Sequence, residues 1–292
     1  MFLYHEVDNS VILNHFIMSL PFQLNDLPPD PWANLRTFTD ARIAIGRTGT
    51  AEPLRASLDF KLAHAHARDA VHSALDLDKL RAQFQTFQLP VLTLHSQAKD
   101  RLEYIQRPDF GRCLNVVSHN ELATLLTQTS LSFKTLPMLC TYDVVLIFAD
   151  GLSATAINEH AFPLLELLIP KLQNLNLKMG PLSIIEQGRV AIGDEVGALL
   201  DAQIAVIFIG ERPGLSSPDS MGAYLTYAPK IGTTDEARNC VSNIRTRGLV
   251  YAAAVEKIVY LIEESLRLKL TGIGLKDMEM GTNSHSRLNE SL

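Results

Sequence analysis

The feature that most constrains this chain is the run Ile204-Ala205-Val206-Ile207-Phe208-Ile209, followed by the turn Gly210-Glu211-Arg212-Pro213-Gly214-Leu215-Ser216-Ser217. Six apolar residues, rich in β-branched types and stopped by glycine, read as a strand buried on both faces. Ligands of open α/β sheets bind outside the carboxyl ends of such strands, so Glu211 is expected where a ligand would sit. The same grammar recurs at Tyr142–Ala149, a strand, and Asp150-Gly151-Leu152-Ser153, a turn. If the two strands are parallel neighbours, Asp150 and Glu211 end at one rim.

The helix after the second turn is expected over Ala154–Leu168, with Pro163 kinking or interrupting it. Leu182–Ile185 reads as a strand, and a short helix ending near Leu200 follows Gly188-Arg189-Val190. Tyr224–Tyr227 reads as a further strand and Val250–Leu270 as a long helix. Strands and helices that alternate in this way predict an α/β fold with a doubly wound, mostly parallel, Rossmann-like sheet. A smaller, mainly helical N-terminal region is expected before it. There, Pro53–Leu75 is a helix with Leu54, Leu58, Leu62 and Ala65 at helical spacing, and Val91–Leu94 is a short strand. A further helix is expected at Glu121–Gln128. The expected divisions are an extension over 1–39 with an amphipathic segment at 11–20, a mainly helical region over 40–110, an α/β domain over 111–275 and a polar tail from 276.

The chain has 292 residues, 47% of them hydrophobic, enough to bury a sizeable core. A net charge of -6 argues against a nucleic-acid binder, which needs a basic surface. Three scattered cysteines suit free thiols in a reducing compartment. No run approaches the ~18 apolar residues of a membrane span, and the first residues lack the basic region of a signal peptide. The expectation is a cytoplasmic protein.

No convincing catalytic set and no metal-ligand spacing stand out. Ser153 lies between a strand and a helix, as in a nucleophile elbow, but Thr155 replaces the glycine that the elbow requires. Ser153 therefore reads first as a helix N-cap, with a serine hydrolase as the runner-up. Glu211-Arg212 reads as a ligand clamp, a local ion pair or a surface accident, and Cys240 as a small apolar group in a polar stretch. Histidines 64, 66 and 72 are read as surface or partner hydrogen bonders. The expected class is a ligand-binding subunit, or an enzyme whose chemistry belongs to a cofactor.

Several blocks, in order, carry a resemblance. Ala41-Arg42-Ile43-Ala44-Ile45-Gly46-Arg47, Leu58-Asp59-Phe60 with His64, and Arg107-Pro108-Asp109-Phe110-Gly111-Arg112 begin it. Asp150-Gly151-Leu152-Ser153, Gly188-Arg189-Val190, Gly210-Glu211-Arg212-Pro213-Gly214-Leu215 and Cys240-Val241-Ser242-Asn243-Ile244 complete it. From about residue 40 to 275 the chain resembles the small (light) subunit of ethanolamine ammonia-lyase. The resemblance implies conversion of ethanolamine to acetaldehyde and ammonia with adenosylcobalamin. The large subunit carries the chemistry, and the small one helps enclose cobalamin at their interface in an assembly with several copies of each chain. It places this chain's cobalamin contacts on Val190, Glu211 and Cys240, and no catalytic residue on it. Some members carry longer extensions linked to packing into bacterial microcompartments. Residues 1–39 do not resemble those extensions, so a microcompartment is a secondary expectation beside the cytoplasm.

Overall fold

The computed structural model describes residues 32–39, 41–132 and 141–275. The expected segment at 11–20 and the polar tail from 276 lie outside the described residues. The chain divides into a small unit ending at Leu58 and a larger one from Asp59 onward. In the small unit Thr48 and Ala51 exchange backbone hydrogen bonds of 2.8 and 3.1 Å, and Gly46 and Gly49 take positive φ, so the stretch read as a turn is one. Helix α1, Leu54–Val71, begins there directly after Pro53. The leucines of its predicted stripe, at 54, 58 and 62, are exposed.

In the larger unit α2 (Leu77–Gln85), β1 (Val91–His95), α3 (Arg101–Gln106) and α4 (Val116–Ser132) precede β2 (Tyr142–Ala149). Then come α5 (Ala154–Asn174), β3 (Leu182–Glu186), α6 (Ile192–Leu199) and β4 (Ala202–Gly210). β5 (Met221–Tyr227), β6 (Asn239–Ile244) and α7 (Tyr251–Leu268) follow. The six strands form one sheet in the order β1-β3-β2-β4-β5-β6. The first four are parallel, with β2 and β4 side by side and Ala149 opposite Ile209; β5 and β6 run antiparallel. The fold is thus mixed α/β with a mostly parallel sheet, and the antiparallel hairpin is an addition that the alternating pattern did not foretell.

Alternate strand residues face opposite layers, as the two-residue period requires. Val144, Leu146, Phe148 and Ile204, Val206, Phe208 pack with apolar residues of α2, α5 and α7. Val145, Ile147, Ala149 and Ala205, Ile207, Ile209 pack with residues of α4 and α6. Both strands are therefore apolar at every central position. Phe148 stacks on Phe208 at 5.0 Å between ring centres, and Phe84 leans on Phe148 at 4.7 Å.

Helix α5 is not interrupted at Pro163 and runs beyond the expected end at Leu168. It contains both Pro163 and Pro170 and continues through each to Asn174. An interior proline costs roughly 3 kcal/mol. Ile157, Ala161, Leu164, Leu165 and Leu168 are all fully buried along this helix, and burying each large side chain returns about 1.5–3 kcal/mol.

Candidate functional site

The reversal in strand order builds the site. From β2 the chain moves to one side to make β3, then passes to the other side to make β4. The loops after β3 and β4 consequently flank the loop after β2, at the kind of switch point where open sheets bind ligands. A cavity of about 430 Å³ opens there. Gly151, Val190, Glu211 and Tyr224 line it, together with Tyr104 of α3 and Arg189.

Asp150 does not reach into this cavity as its position at the strand end had implied. It is 2% exposed, and its carboxylate accepts the backbone N–H groups of Gln187 and Gly188, both at 2.9 Å. The Arg101 guanidinium stands 3.7 Å away and donates to Gly151 O at 2.7 Å. Asp150 therefore fastens the β3–α6 loop, which carries Val190, to the β2 rim. Burial pushes its carboxyl up to about 6, against the pull of Arg101 and of the three N–H groups around it. In the unfolded chain the group titrates near about 4. Between these values the folded protein holds a proton that the unfolded chain has released, so stability falls as pH rises through that window. This stabilisation is fully present below about pH 4 and lost by about pH 6; it amounts to roughly 3 kcal/mol. Urea midpoints of the wild type and Asp150→Asn from pH 4 to 7 check this. The difference in stability between them is expected to shift against the wild type as pH rises to 6, then to stay flat. A difference that is constant across the range would contradict it.

Tyr104 is buried between two cations, with the Arg101 and Arg189 guanidinium carbons 4.6 and 4.4 Å from its ring centre. Burial, then the charge of Asp150, push its hydroxyl up to about 12 despite the arginines, so it stays neutral. Arg189 donates from its backbone to Gly111 O at 2.7 Å and from Nη2 to Tyr104 O at 2.9 Å. A Cβ at Gly111 would approach both Arg189 and Tyr104 to 3.0 Å, so glycine permits this packing.

Glu211 leaves the end of β4 and is half-buried. Ser220 Oγ donates to Oε2 and Ser242 Oγ to Oε1, and the Asn243 N–H reaches Oε2 at 3.2 Å. The carboxylate packs over Gly222, where a Cβ would lie 2.8 Å from Oε1. With about four lone-pair sites on a carboxylate and three in use, Oε1 keeps room for one more donor. Arg212, read as a possible ion-pair partner, is not among the groups that hold Glu211. Cys240 lies on β6 opposite Tyr224 and is exposed. Although the residue as a whole is exposed, neighbouring atoms crowd its thiol and the resulting desolvation raises it from its usual value; Tyr224 lowers it and the charge of Glu211 raises it further, so it is a neutral thiol near pH 7. Thus Val190 and Glu211 share one cavity, and Cys240 joins it through Tyr224. Tyr104, Arg189 and Tyr224 were missed. Arg189 lay within a singled-out block, but nothing in the spacing linked position 104 to 189.

Ser153 takes the expected N-cap position of α5 and is no nucleophile. At the start of α5 its side chain caps no N–H; the hydroxyl is fully buried and donates to Pro218 O at 2.7 Å. The loop after β4 offers this hydroxyl a closer acceptor than the helix offers it donors, and burial removes the serine hydrolase reading. Glu159, His160 and Asp219 bring one donor each within 4.8 Å, a grouping hidden by 59 residues of sequence. Its atoms are already engaged. His160 Nδ1 meets Tyr251 OH at 2.8 Å, Nε2 meets Asp219 at 3.2 Å, and Arg245 stands 3.5 Å from the other Asp219 oxygen.

Four hydrogen bonds link blocks that carry the resemblance. Gly111 accepts from Arg189, Asp150 from Gly188, Gly210 from Leu152 at 2.9 Å and Glu211 from Asn243. Residues 29–276 match the family described as "Ethanolamine ammonia-lyase light chain (EutC)". The chain belongs to the ethanolamine ammonia-lyase light-chain family. Within it, the chain is 48% identical over 250 residues to an "Ethanolamine ammonia-lyase small subunit" of Pseudomonas fluorescens (strain Pf0-1), covering 86% of this chain and 88% of that one. It is 50% identical to the protein of the same name from Xanthomonas campestris pv. campestris (strain B100), over 86% and 89% of the two chains. The Pseudomonas putida (strain GB-1) small subunit is 48% identical over 86% of this chain and 89% of its own. Among the described residues of this light-chain family member, no helix is long and apolar enough to cross a membrane.

Proposed function

We propose that this chain is the small subunit of an adenosylcobalamin-dependent ethanolamine ammonia-lyase and closes over one edge of the cofactor against a large subunit. The observation that carries this reading is the meeting of Val190 and Glu211 in one cavity at the carboxyl rim, with Cys240 tied to it through Tyr224. The doubly wound, Rossmann-like description belongs to the same reading and is supported by helices on both faces and by the reversal around β2.

The residues fit a corrinoid edge. A cavity of about 430 Å³ is an ordinary size for a small ligand, and a corrin with its side chains is much larger, so this chain would hold part of it and a partner the rest. The periphery of cobalamin carries amide side chains. Oε1 of Glu211 would accept an amide N–H, Val190 would give apolar contact, and the neutral Cys240 thiol would pack without adding charge. Val190, Glu211 and Cys240 would hold the edge of adenosylcobalamin, which would supply the radical chemistry when bound. This chain contributes position and exclusion of water: Asp150 holds the Val190 loop, and Ser220, Ser242 and Asn243 aim Glu211.

Acetaldehyde release from ethanolamine is expected only when this chain, the large subunit and adenosylcobalamin are mixed. Activity of the large subunit alone at the same rate would overturn the small-subunit role. Glu211→Ala is expected to leave the complex assembled and to weaken cobalamin binding about ten- to a hundredfold, the worth of one charge-assisted hydrogen bond. Titration of the assembled complex with cyanocobalamin measures it.

A further inference from the structure

Glu211 is aimed by two segments, the β4–β5 loop with Ser220 and the β6 end with Ser242 and Asn243. One guanidinium ties both from behind. Arg245 donates from Nε to Asn243 Oδ1 at 3.0 Å and from Nη1 to Ser216 O at 3.0 Å, and Nη1 lies 3.5 Å from Asp219 Oδ1. Arg245 is 7% exposed and does not line the cavity. Asp219 is in turn held by His160, and Ser153 holds the neighbouring Pro218. The Asn243 corner has its backbone in the left-handed region at φ +60, a conformation that asparagine adopts more readily than other residues with a side chain when local hydrogen bonds support it.

We infer that Arg245, acting with Asp219, is a positioning residue for the cofactor contact of Glu211. It locks the loop and the strand end into the one arrangement in which their donors converge on that carboxylate. Lysine cannot replace it, since a point charge cannot span three acceptors set by a planar fork. This inference rests on the proposed role of Glu211.

A double-mutant cycle tests it, read by equilibrium binding of cyanocobalamin to the assembled two-subunit complex. Arg245→Gln and Arg245→Lys are expected to raise the Kd roughly three- to tenfold, the range of coupling within one hydrogen-bond network. In a Glu211→Ala background the same changes are expected to alter it less than about twofold. A residue that merely supports the fold would weaken binding equally in both backgrounds, and that result would overturn the inference. So would unchanged affinity in both Arg245 variants while Glu211→Ala binds weakly. If Glu211→Ala itself binds as tightly as the wild type, the cofactor reading of Glu211 fails first. Should the Arg245 variants fail to assemble, the isosteric Asp219→Asn carries the same cycle, with the same outcomes deciding.

Discussion

Alanine at Gly210 is expected to unfold the carboxyl rim of the sheet. A Cβ there would collide with the Ser153 carbonyl oxygen and stand 2.5 Å from the Asp150 carbonyl oxygen. Both are backbone atoms, and neither can swing away as a side chain would. Leu152 donates to Gly210 O, and Ser153 donates to Asp150 O at 3.1 Å, so the β2 turn is clamped where the new methyl would go. Relief would require parting β2 from β4 at the cavity floor. A loss above about 4 kcal/mol is expected, the range reserved for severe overpacking. Gly214→Ala is the control, because its Cβ would first meet the mobile end of Ser217; a change within about 1 kcal/mol is expected there. Urea midpoints of the two variants decide it, and similar midpoints would refute the backbone argument.

Arg238→Ala is expected to be nearly as damaging. Its guanidinium pairs with Asp194, and the two side chains are 3% and 2% exposed. It also donates to Asp235 at 2.7 Å and to Thr233 O at 2.7 Å, which binds the loop before β6 to α6. Burial raises the Asp194 carboxyl, and Arg238 is the main force holding it down. Without the arginine a buried carboxylate loses its counter-charge, at a cost of about 3–5 kcal/mol. The pair itself is weakly favourable, since both ions were taken out of water. The double variant Arg238→Met with Asp194→Leu is therefore expected to recover most of the loss. A double variant as unstable as Arg238→Ala would show that the pair does more than neutralise itself.

How far the sequence spoke depended on what each segment buries. Strand β4 was legible because both its faces are covered, which leaves an uninterrupted apolar run. Strand β6 was not. Asn239-Cys240-Val241-Ser242-Asn243-Ile244 buries only Val241 and Ile244, and an edge strand with one open side looks like a loop. Helices α2 and α3 were lost in the mixed stretch over 76–110; each is short, although Asp76 and Asp100 do cap them. At the site, Glu211 could be singled out because strand ends are where open sheets bind. Asp150 held the equivalent position and proved structural, because the β3 loop offered it two N–H groups at once. The serine hydroxyl at 153 chose an acceptor 65 residues away, which no local rule for caps can see.

The placement of β1 also has a consequence in time. Val91 pairs with Leu182, so the first strand made must wait for the third. At about 5–20 residues per second the wait on the ribosome is on the order of 5 to 20 s. For most of it, until β2 and α5 are made, Leu80 and Phe84, destined for the core, lack the surfaces that cover them. Apolar surface left bare for that long during synthesis is open to aggregation, the hazard that chaperones exist to suppress.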